Sequence, residues 1–296
     1  MSALWLQEVG TVRHFAGVLL LVVSFLVTAA HFVMEPLRWN HCYLPSADDI
    51  RSRNGIRDAL FCTALATYLL PFKLGIPLRI LLLHRQGKLT FHFIGVVIAL
   101  DGLLSLIAWS LMAALSLWLA ALHWRPPAYV WGIAIAAIVG MLVIFWLLRR
   151  LRNRWMLRLR EALMLLDQPW RRILTAWTIL LGDVASYGIR HALLVLIVTG
   201  NPHLALMGGA VGIVATFAGI VSGLPMGLVG YDATLIALLA LAGVPLDRAL
   251  LVAIFNRGLN LGAAVLLGLP AASRLRLGTS LGSILRRLRE MGHGSE

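Results

Sequence analysis

Residues 69–86 read LLPFKLGIPLRILLLHRQ, with Pro71, Lys73, Gly75, Pro77 and Arg79 breaking an otherwise apolar run. A helix crossing a hydrocarbon core of roughly 30 Å needs about 20 apolar residues, and the arms on either side of this break, 59–70 and 74–83, are shorter. Backbone groups freed at Pro71 are tolerated at membrane depth only where protein or water surrounds them. The stretch therefore reads as the bend of a helical hairpin facing the protein interior, and the rest of the chain is organised around it.

The 296 residues are 60% hydrophobic and 13% charged, with mean hydropathy +0.86, whereas soluble domains are about 25% charged. This is the composition of an all-α polytopic membrane protein. The net charge of +13 is almost all arginine, since lysine occurs only at 73 and 88; arginine stays protonated and grips phosphates bidentately. Cys42 and Cys62 stand alone, with no metal-ligand spacing, so neither a disulfide framework nor a metal site is expected, and no cofactor. The run 15–34 is too long for a signal-peptide core and reads as a span. Nucleic-acid binding is not expected, because the arginines sit at membrane edges rather than in a soluble module.

Apolar runs at 15–34, 92–122, 128–148, 173–199, 203–222 and 249–270 are each long enough to cross. With the shorter 59–83 and 225–243 this gives about six to eight transmembrane segments. Segment 149–172 holds eight arginines and the tail five, which places both in the cytoplasm. The positive connections 35–58 and 84–91 join them there, and 200–203 and 243–248 lie outside. Hence 59–83 enters and leaves by one face as a re-entrant hairpin. Segment 203–243 also returns to its own face, as a deep hairpin or as two spans.

Each half then reads span, hairpin, span, in opposite orientation, with 128–148 extra in the first. Leu70-Pro71-Phe72-Lys73-Leu74-Gly75 resembles Leu224-Pro225-Met226-Gly227-Leu228-Val229, and inverted repeats with broken helices are a transporter architecture. The expected organisation is a first membrane repeat at 1–148, a basic amphipathic cytoplasmic linker at 149–172, a second repeat at 173–270 and a basic cytoplasmic tail at 271–296. Linker and tail both oppose apolar faces to arginines, as inner-leaflet surface helices do.

Ionisable side chains at membrane depth cost about 2.5–3.5 kcal/mol each on insertion scales and need partners, water or a ligand. Here they are Lys73, Arg79, Asp101, Asp183, Arg190, His191, Asp232 and Arg257. Plain pairing of Asp101, Asp183 and Asp232 with Arg79, Arg190 and Arg257 accounts for them structurally. The functional account adds geometry. A half-helix starting near Gly75 turns its positive end toward the midplane beside Lys73 and Arg79, making a phosphate-binding corner. Pro225-Met-Gly227-Leu-Val-Gly230 makes a second break, followed by Tyr231 and Asp232; the latter suits an amine, a sugar hydroxyl or Arg257.

At these residues the chain resembles the transmembrane region of lysylphosphatidylglycerol synthases and related flippase-like proteins. The family's Leu-Pro, Gly-rich stretch and Gly-Glu-x-x-Arg look like Leu70-Pro71 through Gly75-Ile76-Pro77-Leu78-Arg79. Its Pro-Gly-Gly-x-Gly-x-x-Glu, Gly-Val-Pro and following Arg look like Pro225 to Asp232, Gly243-Val244-Pro245 and Arg257; Leu37-Arg38-Trp39 matches too. Ile76 replaces the family Glu, and Asp232 is shorter than the usual Glu. The resemblance implies movement of polar lipids between the leaflets of a bacterial-type inner membrane. Arg79 and Arg257 would hold the lipid phosphate, with Lys73, Gly75, Asp183, Arg190, Gly227, Gly230, Tyr231 and Asp232 completing the site. In the synthases a soluble aminoacyltransferase domain follows this region. Here only a short basic tail follows, so the chain is not expected to make the aminoacylated lipid itself.

Two other classes compete. A lipid-headgroup hydrolase or transferase would draw on Asp183 and His191, which lie about 12 Å apart by helix rise, too far to act together. A non-transporting partner of a lipid-synthesising enzyme would show a small-residue face such as Gly208, Gly212 and Ala215.

Overall fold

A computed structural model of the chain describes residues 3–44, 50–69, 75–87, 89–123, 169–221 and 230–275. The expected span 128–148, Lys73, Pro71, Gly227, most of the 149–172 linker and the tail beyond 275 lie outside these residues. The described residues form eight α-helices and one π-helical turn: α1 Ala3–Arg38, α2 Ile50–Leu69, α3 Gly75–Gly87, α4 Phe91–His123, α5 Pro169–Thr199, α6 Pro202–Val221, α7 Gly230–Leu241 and α8 Leu246–Arg274. Helices α1, α4, α5, α6 and α8 are long and apolar enough to cross a membrane, which makes this a multi-pass helical membrane protein. Helix α7, at 12 residues, spans only about 18 Å.

Several boundaries extend beyond the apolar runs, because polar helix ends carry no hydropathy signal. Helix α1 continues through Glu35 and Pro36 to Arg38, so part of the expected cytoplasmic connection 35–58 belongs to the bundle. Pro36 cannot donate to the helix ladder, and just beyond it Trp39–Tyr43 widen into the π turn that buries Trp39, Cys42 and Tyr43. Helix α2 begins at Ile50, nine residues before the expected hairpin arm, since its first half, IRSRNGIRDAL, is polar. Residues 169–172 of the expected linker are the first turn of α5. Arg172 donates to the Leu44 carbonyl and so ties the start of α5 to the end of the π turn.

Small residues set the closest approaches. Helices α5 and α6 pack along Gly188, Gly208, Gly209 and Gly212: a Cβ on Gly208 would lie 2.4 Å from Val195 Cγ2, and one on Gly212 2.2 Å from His191 Cγ. The stripe Gly208, Gly212 and Ala215 therefore faces inward against α5 and is not an exposed partner face. Helix α8 meets α2 at Gly268, whose Cβ would stand 2.5 Å from Leu65 Cβ, and Arg274 closes that seam with a bidentate bond to Asp58, at 2.7 and 2.8 Å. One apolar core joins α4 to α8, and a second joins the end of α1 to α2, α3, α4 and α5.

Candidate functional site

Helix α3 starts at Gly75 because nothing larger fits there: a Cβ would sit 2.3 Å from Thr67 Oγ1 on α2. That contact aims the first turns of α3, and with them Arg79, at α1. Arg79 meets Glu35 in a bidentate pair, Nη1 to Oε1 at 2.6 Å and Nη2 to Oε2 at 3.2 Å. Glu35 went unnoticed in the sequence because one acid at the edge of an apolar run looks like an interface residue.

One turn earlier on α1, His31 Nδ1 contacts Asp183 Oδ1 on α5. Asp183 thus pairs with a histidine rather than with an arginine as expected. The imidazole also packs edge-on to Tyr187, with centroids 4.4 Å apart. On α5 the residues Asp183, Tyr187 and Arg190 recur at helical spacing and share a face. The Arg190 guanidinium lies 4.2 Å over the Tyr187 ring, a cation–π contact that partly offsets its burial.

Arg190 is 1% exposed, and its one hydrogen bond among the described residues runs from Nη1 to Asn260 Oδ1 at 2.9 Å. Its Nε and Nη2 have no acceptor, and no carboxylate pairs with it among the described residues. A buried cation that no carboxylate pairs directly is costly, and polar groups surround this one.

The surround is a hydrogen-bonded chain. Asn260 Nδ2 reaches Asn256 Oδ1 at 3.4 Å, Asn256 Nδ2 donates to Tyr231 Oη at 2.7 Å, and Tyr231 Oη meets His191 Nε2 at 2.6 Å. His191 Nδ1 lies 2.7 Å from the Tyr187 carbonyl. A carbonyl only accepts, so Nδ1 carries the hydrogen, and Nε2 accepts from the Tyr231 hydroxyl. Both nitrogens of His191 are thereby committed. Gly212 on α6 supplies the space for its ring. His191 is neither free nor in contact with Asp183, consistent with the expectation that the two do not act together.

Helix α7 starts at Gly230 and carries Asp232 in its first turn, where a negative charge complements the helix dipole. Asp232 takes Arg257 as its partner, with Nε to Oδ2 at 2.9 Å. This is one of the three possibilities left open by the sequence. Tyr68, near the end of α2, stands within electrostatic reach of both Arg190 and Arg257, and Tyr187 within reach of Glu35, Asp183 and Arg190. The groups from α1, α2, α3, α5, α7 and α8 therefore form one cluster.

Asp101 is outside it. Its expected partners were Arg79, Arg190 or Arg257; it is held instead by Arg38, with Nε at 2.6 Å and Nη2 at 3.1 Å, and by the Tyr43 hydroxyl at 2.8 Å. Arg38 and Asp101 are both buried, and this bond ties α1 to α4. No group of three or more metal-ligating side chains occurs among the described residues.

Comparison with curated proteins gave no match, and neither did comparison with solved structures. Residues 3–268 match the family model described as the lysylphosphatidylglycerol synthase TM region.

Proposed function

The chain belongs to the lysylphosphatidylglycerol synthase TM region family, and from that premise we propose that it is a flippase-like transporter that moves a polar, phosphate-bearing lipid between leaflets. The observation that carries this reading is Arg190: a buried guanidinium whose Nε and Nη2 have no acceptor and which no carboxylate pairs among the described residues. A lipid phosphodiester supplies the missing acceptors. Arg79 and Arg257 are paired with Glu35 and Asp232; an arriving phosphate competes with these carboxylates and recruits both arginines. Asp183 and Asp232 then face any cationic part of the headgroup. Read as an inverted repeat, the two halves rock about the cluster to alternate access. The membrane is a bacterial-type inner membrane, with the tail in the cytoplasm.

Reconstitution into liposomes with headgroup-labelled lipids tests the reading, using an acidic phospholipid, its aminoacylated form and a polyprenyl-phosphate-linked sugar. Leaflet exchange of one of them, lost in Arg79→Ala, is expected. Exchange that is unchanged in Arg79→Ala would remove that arginine from the site, and exchange of the polyprenyl lipid alone would assign the protein to envelope-sugar carriers.

A further inference from the structure

Resting on that reading and deepening it, we propose that the His31–Asp183 pair is a proton-binding site coupled to anion binding at Arg190, so that one proton and one phosphodiester are carried together. Among the described residues, Glu35, Asp58, Asp101 and Asp232 each pair with an arginine, and Asp183 pairs with a histidine. Arginine does not lose its proton in proteins. Histidine is the side chain whose ordinary charge change falls between about pH 5 and 8. The pair is thus the one ion pair here whose positive partner can be switched off.

The hydrogen-bond chemistry specifies where the proton goes. A carboxylate can only accept, so His31 Nδ1 carries the hydrogen directed at Asp183 Oδ1. Nε2 is then the nitrogen that takes the second proton from water and returns it. The pair is not sealed: the His31 side chain is 20% accessible and that of Asp183 10%. His191, by contrast, is fully buried and has both nitrogens engaged.

Electroneutrality supplies the coupling. Arg79 with Glu35, and Arg257 with Asp232, cancel. Counted over the described residues, Arg190 is balanced by Asp183 when His31 is neutral, and the cluster gains one positive charge when His31 is protonated. A net charge buried among low-dielectric helices is penalised, so two states are favoured: empty with His31 neutral, and loaded with one phosphodiester monoanion and one proton. Tyr187 joins the two sites physically, its ring against His31 on one side and the Arg190 guanidinium on the other. The other charged or titratable groups around His31 are Glu35 on its own helix, engaged by Arg79 of α3, Tyr68 of α2, which packs on Phe32, and Arg257 of α8 in reach of Tyr68.

The test is calorimetric titration of the purified full-length protein in detergent, in two buffers of different ionisation enthalpy. The probes are dihexanoyl phosphatidylglycerol, its lysyl ester and a short-chain polyprenyl-phosphate sugar. For whichever probe binds, the wild type is expected to take up about one proton per lipid at alkaline pH, with affinity falling about tenfold per pH unit there. His31→Gln is expected to bind without proton uptake and with a flat pH profile. Uptake by the wild type needs no variant to fold, so binding without it overturns the coupling and leaves the transporter reading in place. Equal uptake in a folded His31→Gln also overturns the assignment. If no probe binds the wild type at any pH, the phosphate-site reading fails, and the coupling fails with it.

Discussion

Asp101→Asn is a severe change at a buried pair outside the Arg190 cluster. The carboxylate takes Arg38 Nε at 2.6 Å, Arg38 Nη2 at 3.1 Å and the Tyr43 hydroxyl at 2.8 Å, and the two charged residues are 4% and 8% exposed. Asparagine keeps the shape but turns an NH2 group toward one of these donors and leaves the Arg38 charge uncompensated. Arg38 has no reserve contact, since its Nη1 already lacks a partner. Breaking a buried pair from one side costs about 3–5 kcal/mol. For a chain of this size that corresponds to a fall in Tm on the order of 10 °C, read by thermal unfolding in detergent. Arg38→Met combined with Asp101→Leu should recover most of the loss, because an apolar replacement removes both charges together. An Asp101→Asn protein within about 1 kcal/mol of wild type would refute the assignment of this pair as the tie between α1 and α4.

The Glu35–Arg79 pair should behave differently, since its side chains are 27% and 21% accessible: Glu35→Gln is expected to cost about 1 kcal/mol or less by the same unfolding assay while altering the rate of lipid exchange. Tyr231→Phe deletes the group that accepts from Asn256 and donates to His191, and a loss of about 1–3 kcal/mol is expected; an unchanged Tm would dissolve the polar chain as a structural unit. Gly212→Ala must push α6 away from His191, for about 1–3 kcal/mol. Gly258→Ala on α8 meets nothing within 4 Å and should be neutral or stabilising, which makes it the uncrowded control for Gly212→Ala.

Much of this architecture was legible because spans announce themselves by length, and helix starts by glycine after proline. Gly75 begins a helix where the sequence places one, and Asp232 with Arg257 is a pairing the sequence allows. What stayed hidden depends on contacts between helices. His31 and Glu35 lie at the end of an apolar run, and only the approach of α3 and α5 to α1 turns them into partners of Arg79 and Asp183. Asp101 could not be matched with Arg38, because Arg38 looked like part of a cytoplasmic connection until α1 was seen to continue past Pro36. Asn256 and Asn260 carry no charge and were not singled out, yet their spacing of four residues on α8 places them on one face, where they bridge Arg190 to Tyr231.

The central claim is that a buried guanidinium awaits a lipid phosphate, and the most direct measurement is the leaflet-exchange rate of Arg190→Gln at equal folded protein in liposomes. Glutamine keeps a hydrogen-bonding end near Asn260 but removes the charge. Exchange reduced to the protein-free rate is expected, measured on protein that thermal unfolding shows to be folded. Exchange at the wild-type rate would contradict it.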